Sequence, residues 1–185
     1  MKYIIFLSWF LFVSEFILFL VKRSRVKTSI KRKDKGSLAL LWITITICFT
    51  FGFMFANYRV WKLSNIIVAG FGMLLILIGL SIRWISILQL KKAFTVDVAI
   101  GADQKLKTDG MYKNIRHPSY LGLLMIMTGF AVCMNSIISI LVIVIPMFMV
   151  LWYRISVEEK LLIEAFDDQY IEFIKNTKKL IPWFF

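Results

Sequence analysis

Long apolar runs separated by short charged stretches set the rhythm of this chain. Five runs stand out, at about 3–21, 38–56, 66–90, 118–134 and 137–153. Each approaches or reaches the roughly 17–25 residues that carry a helix across a bilayer. Lipid offers no partner to an exposed backbone group, so such spans are expected as helices. Between the last two runs only Asn135-Ser136 intervenes, which predicts a tight turn and an antiparallel hairpin whose second arm is bent by Pro146. Beyond Tyr153 the pattern changes. Ile155, Leu162, Ile163 and Phe166 recur at helical spacing among acids and lysines, which predicts an amphipathic helix over 154–175 leaving the membrane. The expectation is an all-α membrane protein, a single integral-membrane domain over 1–185 with about five transmembrane helices plus a cytoplasmic C-terminal amphipathic helix.

Composition agrees with that pattern and charge orients it. At 59% hydrophobic residues and a mean hydropathy of +0.77, the chain is too apolar for a soluble domain of its length. The formal charge of +12 does not point to nucleic acid, because the basic residues concentrate in loops. The densest block, from Lys22 to Lys35, contains one acid, Asp34. The positive-inside rule puts that block, the 91–117 connection and the C-terminus in the cytoplasm and the N-terminus outside. The block also suits contact with anionic headgroups. A prokaryotic plasma membrane and a eukaryotic endoplasmic reticulum both fit. The first run lacks a small-residue cleavage signature before the basic block, so it is read as a retained helix. Glu15 within it is expected to face another helix or an interface. Arg83, near the inner end of the third run, is expected to snorkel to the headgroups, and it shares a face with Gly79. Cys48 and Cys133 lie in apolar runs and read as packing residues. With a single histidine, no metal site is expected.

The chemistry concentrates around that histidine. In Arg116-His117-Pro118-Ser119-Tyr120, proline suits the first position of a helix. The fourth span therefore starts at Pro118, with Arg116, His117, Ser119 and Tyr120 at its mouth. The hairpin brings this mouth close to Arg154, Glu158 and Glu159 at the inner end of the fifth span. Arg154 and Glu158 are four apart and share a helix face. Unpaired N–H groups at the mouth suit a carboxylate or phosphate. The glutamates suit an amine or sulfonium, and Tyr112 and Tyr120 suit a flat ring or a cation. A zwitterionic, nucleotide-like cofactor fits this mixture. No P-loop or GxGxxG fingerprint is present.

At these residues the sequence resembles the isoprenylcysteine carboxyl methyltransferase family, part of a wider group of integral-membrane methyltransferases that includes phospholipid N-methyltransferases. The resemblance rests on Leu106-x-Thr108-x-Gly110-x-Tyr112, on Arg116-His-Pro-Ser-Tyr-Leu-Gly122, and on Arg154-x-x-x-Glu158-Glu159-x-x-Leu162 with Phe166 and Tyr170. It continues in Thr177-x-x-x-Ile181-Pro182, and Gly79-x-x-x-Arg83 with Phe94 matches on the preceding span. It implies S-adenosylmethionine as methyl donor, with S-adenosylhomocysteine as product. Backbone at Gln104, Lys105, Leu106 and Lys107 would contact the cofactor. Tyr112, His117, Pro118, Ser119 and Tyr120 would line its site. Glu158 would face it, and Arg154 would hold the carboxylate of a lipophilic, prenylcysteine-like acceptor. Arg154 and Glu158 are thus the expected catalytic pair. Asp97 and Asp167-Asp168 depart from the family pattern and bear on acceptor preference. The bilayer and that acceptor are the expected partners, with no nucleic acid and no metal. Methylation of a phospholipid or another lipophilic amine or thiol is the alternative. A membrane NADPH-dependent reductase is remoter, because Gly122 is followed by Leu123-Leu-Met; so is a non-enzymatic scaffold.

Overall fold

The computed structural model of the chain describes residues 13, 29–32, 36–57, 63, 66–90, 99–101 and 105–181. Apart from Val13, the expected first span with Glu15 lies outside these residues, as do Phe94, Asp97 and Gln104 of the 91–117 connection and the last four residues, 182–185. Five helices are described: α1 (Ser37–Asn57), α2 (Ile66–Leu90), α3 (Pro118–Cys133), α4 (Ile137–Phe166) and α5 (Asp168–Asn176). Three of them, α1, α2 and α4, are long and apolar enough to cross a membrane, while α3 is a shorter apolar helix of 16 residues. The protein is an integral membrane protein built on these helices.

Two stretches differ from expectation. The fifth span and the amphipathic stretch form one unbroken helix, α4, instead of separating at residue 154. The sequence from Glu158 to Ala165 holds strong helix formers and neither glycine nor proline, so nothing stops the helix where the apolar run does. The break comes at Asp167, whose φ is +44°. The second difference is a two-stranded antiparallel ribbon, β1 (Ser29–Arg32) with β2 (Ala99–Gly101), inside segments read as loops. Strands of four and three residues are too short to show an alternating pattern.

α2 packs on α3, α3 on α4, and α4 on α1. The first of these contacts runs backbone to backbone. Gly72 faces Gly129 and Gly79 faces Gly122, and a Cβ added at any of the four would fall within 2.5–2.8 Å of the opposing backbone or of a side chain beside it. Small residues at one spacing on both helices permit the close approach that association in lipid relies on. The next contact along the same seam is Arg83 against Ser119. Arg83 does not snorkel. It is buried, and its Nη1 donates to the Ser119 carbonyl at 3.1 Å and the Ser119 hydroxyl at 3.2 Å. The closely packed seam keeps the stem from reaching headgroups and offers an oxygen pair within the bundle.

On the other side, Phe130 of α3 meets Phe49 and Phe53 of α1 edge-on, with centroids 4.7 and 5.8 Å apart. Cys48 and Cys133 are buried free thiols. The Ser139 hydroxyl donates to the Gly52 carbonyl at 2.9 Å, a polar tie between α1 and α4. Asn135 at φ +54° makes the tight turn between α3 and α4, and Ser136 caps α4. Pro146 is accommodated within α4.

Candidate functional site

The site lies at the end of the bundle where α1 and α3 begin and α2 ends. Approaching it, residues 105–117 run back alongside the last turns of α2. Gly110 (φ +62°) would strike Gln89 if it carried a side chain. Gln89 accepts from the Met111 N–H at 3.0 Å, and the Tyr112 hydroxyl donates to the Ser86 carbonyl at 3.3 Å. Burial, helped by the Glu158 charge, pushes the Tyr112 phenol well above its ordinary range, so it remains a neutral donor. These contacts bring the chain to Pro118 at the first position of α3.

Two clusters form there, one on each of two adjacent glutamates. Tyr120 donates to Glu158 Oε2 at 2.7 Å and accepts from Arg154 Nε at 3.0 Å. Arg154, 3% exposed, also donates through Nη1 to the Ser37 hydroxyl at the start of α1, at 2.9 Å. Its guanidinium carbon lies 5.9 Å from the Tyr120 ring centre. The second cluster surrounds Glu159. Arg116 Nε lies 2.9 Å from it, His117 Nε2 3.4 Å and Lys179 Nζ 3.0 Å. Lys179 also sits over the Trp152 ring.

The segment after α5 closes this second cluster. It pairs with 114–117 as a short parallel strap: Lys178 N–H donates to Asn114, Arg116 N–H to Lys178 and His117 N–H to Lys179. The Arg116 guanidinium also donates to the carbonyls of Ile174 and Thr177. His117 is therefore held through its backbone by the strap and through its ring by Glu159.

Between residues 105–114 and the ends of α4 and α5 opens a cavity of about 1090 Å³. Leu106, Phe166 and Phe173 supply apolar wall, and Gln169 and Asn176 supply amides. Its α4 wall begins at Ala165, two helical turns beyond Glu158, or roughly 10 Å along the axis. Tyr170 is 1% exposed, and among the described residues its hydroxyl has no hydrogen-bond partner. Burial, and then the Glu159 and Glu158 charges, push this phenol far above its ordinary range. A buried donor without an acceptor is uncommon and costly. Among the described residues, no three His, Cys, Asp or Glu side chains gather as a metal site requires.

The expected site residues distribute as follows. Arg154, Glu158 and Tyr120 meet in one cluster. His117 belongs to the neighbouring one, and Pro118 is buried between them. Ser119 is engaged by Arg83, and Tyr112 turns toward α2. Lys105 and Leu106 border the cavity, and Lys107 pairs with Asp109 at 2.6 Å. Sequence reading did not find Ser37, Lys179, the buried role of Arg83, or Glu159 as a hub; Glu159 carried a signal in its place beside Glu158, and Arg83 in the face it shares with Gly79.

Comparison with known proteins places this geometry. The family model described as phospholipid methyltransferase matches residues 67–169, more than half of the chain. Protein-S-isoprenylcysteine O-methyltransferase B of Arabidopsis thaliana is 30% identical over 66% of this chain and 61% of its own length. The Saccharomyces cerevisiae protein-S-isoprenylcysteine O-methyltransferase is 28% identical over 80% of this chain and 64% of its own. The chain thus spans about three fifths of the length of these relatives. In fold it is similar to the eukaryotic intramembrane Ras methyltransferase ICMT (isoprenylcysteine carboxyl methyltransferase), with a TM-score of 0.59 and 22% identity over 83% of this chain and 55% of that one. With relatives of that kind and a family model spanning α2 to the start of α5, this chain belongs to the phospholipid methyltransferase family.

Proposed function

We propose that this protein transfers a methyl group from S-adenosylmethionine to the carboxylate of a lipophilic, prenylcysteine-like acceptor. The observation that carries this reading is Arg154: a buried guanidinium, fixed by two hydroxyls and next to a carboxylate, at one end of an apolar bundle. A planar cation of permanent charge suits bidentate capture of a carboxylate. The names of the relatives, isoprenylcysteine O-methyltransferases, support the same acceptor class.

The donor supplies an already activated methyl group on a sulfonium. The chain's residues fit such a molecule. Glu158 offers a negative charge to a cationic centre. The cavity beside Leu106, Phe166 and Phe173 offers apolar wall and amides to a nucleoside end. A carboxylate acceptor is ionised at neutral pH, so no residue need remove a proton from it. The protein's work is then to position the acceptor oxygen and exclude water. Arg154 orients the carboxylate, and Tyr120 holds Arg154 and Glu158 in fixed relation. The acceptor's lipid tail stays among the helices while the donor arrives from the cytoplasm, the N-terminus lying outside.

Methylation of a phospholipid amine is the second reading, favoured by the description of the family model. An amine must lose a proton, which would give Glu158 the part of a base.

Calorimetric titration of the detergent-solubilised protein with S-adenosylhomocysteine tests the donor, and a panel of prenylcysteines and lipid amines tests the acceptor. The expected result is saturable binding and ester formation. Arg154→Ala should lose ester formation at least a hundredfold while keeping S-adenosylhomocysteine affinity within about threefold, and His117→Ala should weaken that affinity. Absence of binding by a folded sample refutes the reading, and methylation of lipid amines alone selects the second one.

A further inference from the structure

The first turn of α1 belongs to the acceptor site, although it lies outside both the matched family region and every motif in the sequence. Ser37 is fully buried. Gly36, at φ +75°, turns the chain into α1, and its carbonyl accepts the Leu40 N–H at 2.9 Å. The Ser37 hydroxyl thereby meets Arg154 Nη1 at 2.9 Å. Arg154 comes from α4, its Nε is taken by Tyr120 from α3, and Ser37 is the contribution of a third helix. Tyr120 and Ser37, on separate helices, take Nε and Nη1 and so bear on both the position and the plane of the group.

We propose that Ser37 is a positioning residue for the acceptor carboxylate, acting through Arg154 by setting the plane of its guanidinium. The proposal rests on the carboxyl-transfer reading above. Among the described residues neither the Glu159 cluster nor the lining of the cavity beside Phe166 includes α1, so the hydrogen-bonded route from Ser37 to the donor side runs through Arg154, Tyr120 and Glu158. Loss of the hydroxyl should disturb acceptor binding first, since Arg154 is its direct partner.

The test compares the parent with Ser37→Ala, Ser37→Cys and Ser37→Thr in detergent, using farnesylcysteine as acceptor and S-adenosylhomocysteine as donor-site probe. The parent must bind the probe and form the ester; if it does neither, it is the carboxyl-transfer reading that fails, not the role of Ser37. With a working parent, Ser37→Ala should raise the acceptor KM about five- to tenfold, the scale of one ordinary intramolecular hydrogen bond. The affinity for S-adenosylhomocysteine should stay near the parent value, and the thermal midpoint should fall only modestly, as expected for one buried donor left without its acceptor. Ser37→Cys, close in shape but a poor acceptor, should reproduce the loss, and Ser37→Thr, which keeps the hydroxyl, should restore it. Unchanged KM in both the Ala and Cys variants overturns the proposal. So does an equal loss of probe affinity and thermal midpoint, which would make Ser37 part of the packing only.

Discussion

Adjacent positions on a helix point about 100° apart, and Glu158 and Glu159 use that angle to serve two clusters. Glu158 turns to Tyr120 and, through it, to Arg154. Glu159 turns to Arg116, His117 and Lys179. The Glu159 side chain is 12% exposed and those of Arg116 and His117 less, so removing its charge strands cations in a poorly solvated place. Glu159→Gln should cost about 2–4 kcal/mol of stability, read as a lower thermal midpoint, with S-adenosylhomocysteine affinity falling as His117 loses its holder. Lys179→Ala, at the more open edge of the cluster, should cost under about 1 kcal/mol. A Glu159→Gln variant as stable as the parent would refute the hub. The first cluster was legible in the sequence because Arg154 and Glu158 are one turn apart and a two-residue turn ties their helix to α3. The second was not. It needs Lys179 to return from beyond α5, and no local pattern announces a return of that kind. Ser37 was hidden for a simpler reason: serines at the starts of apolar helices are ordinary, and nothing about this one differs until Arg154 is beside it.

At the scale of elements, the joint between α2 and α3 decides whether the site exists. Gly72 and Gly79 against Gly122 and Gly129 leave no room for a methyl group, whereas Gly70, on the same helix, has nothing within 4 Å of an added Cβ. Gly129→Ala should therefore cost about 1–3 kcal/mol through overpacking against backbone, and Gly70→Ala should be neutral or slightly stabilising. Thermal unfolding in detergent compares the two directly, and equal midpoints would mean the seam is looser than its geometry. Gly122→Ala should weaken donor-site binding as well, since it would strike Arg83, whose hold on Ser119 fixes the first turn of α3. The helices themselves were plain in the apolar runs. Their faces were less so, because lipid accepts apolar side chains on every side and erases the amphipathic stripe that orients helices in water. The exit of α4 misled for the same reason: hydropathy marks where the bilayer ends, and helix propensity marks where the helix does.

For the molecule as a whole, the lengths of neighbouring helices do not agree. α2 has 25 residues and α3 has 16, about 38 and 24 Å at the rise of an α-helix. The hydrocarbon core is about 30 Å thick. The seam matches the two helices from Gly72 and Gly129 to Arg83 and Ser119, and the last turns of α2 overhang the start of α3 and shelter residues 105–117. An α3 shorter than the hydrocarbon core predicts that His117, Tyr120 and Arg154 sit below the level of the headgroups. Esterase-free vesicle assays should show ester formation falling several-fold from short-chain to long-chain phosphatidylcholine, as the mismatch grows; a flat profile would mean the mouth stands clear of the acyl region. A molecule anchored by a hydrocarbon tail holds its polar end at a fixed depth, and lifting that end into water would drag apolar carbons with it. A recess sunk to that depth spares the acceptor the climb. Under the proposed activity the short helix would act as a depth gauge, favouring acceptors by how far beneath the surface they carry their reactive group.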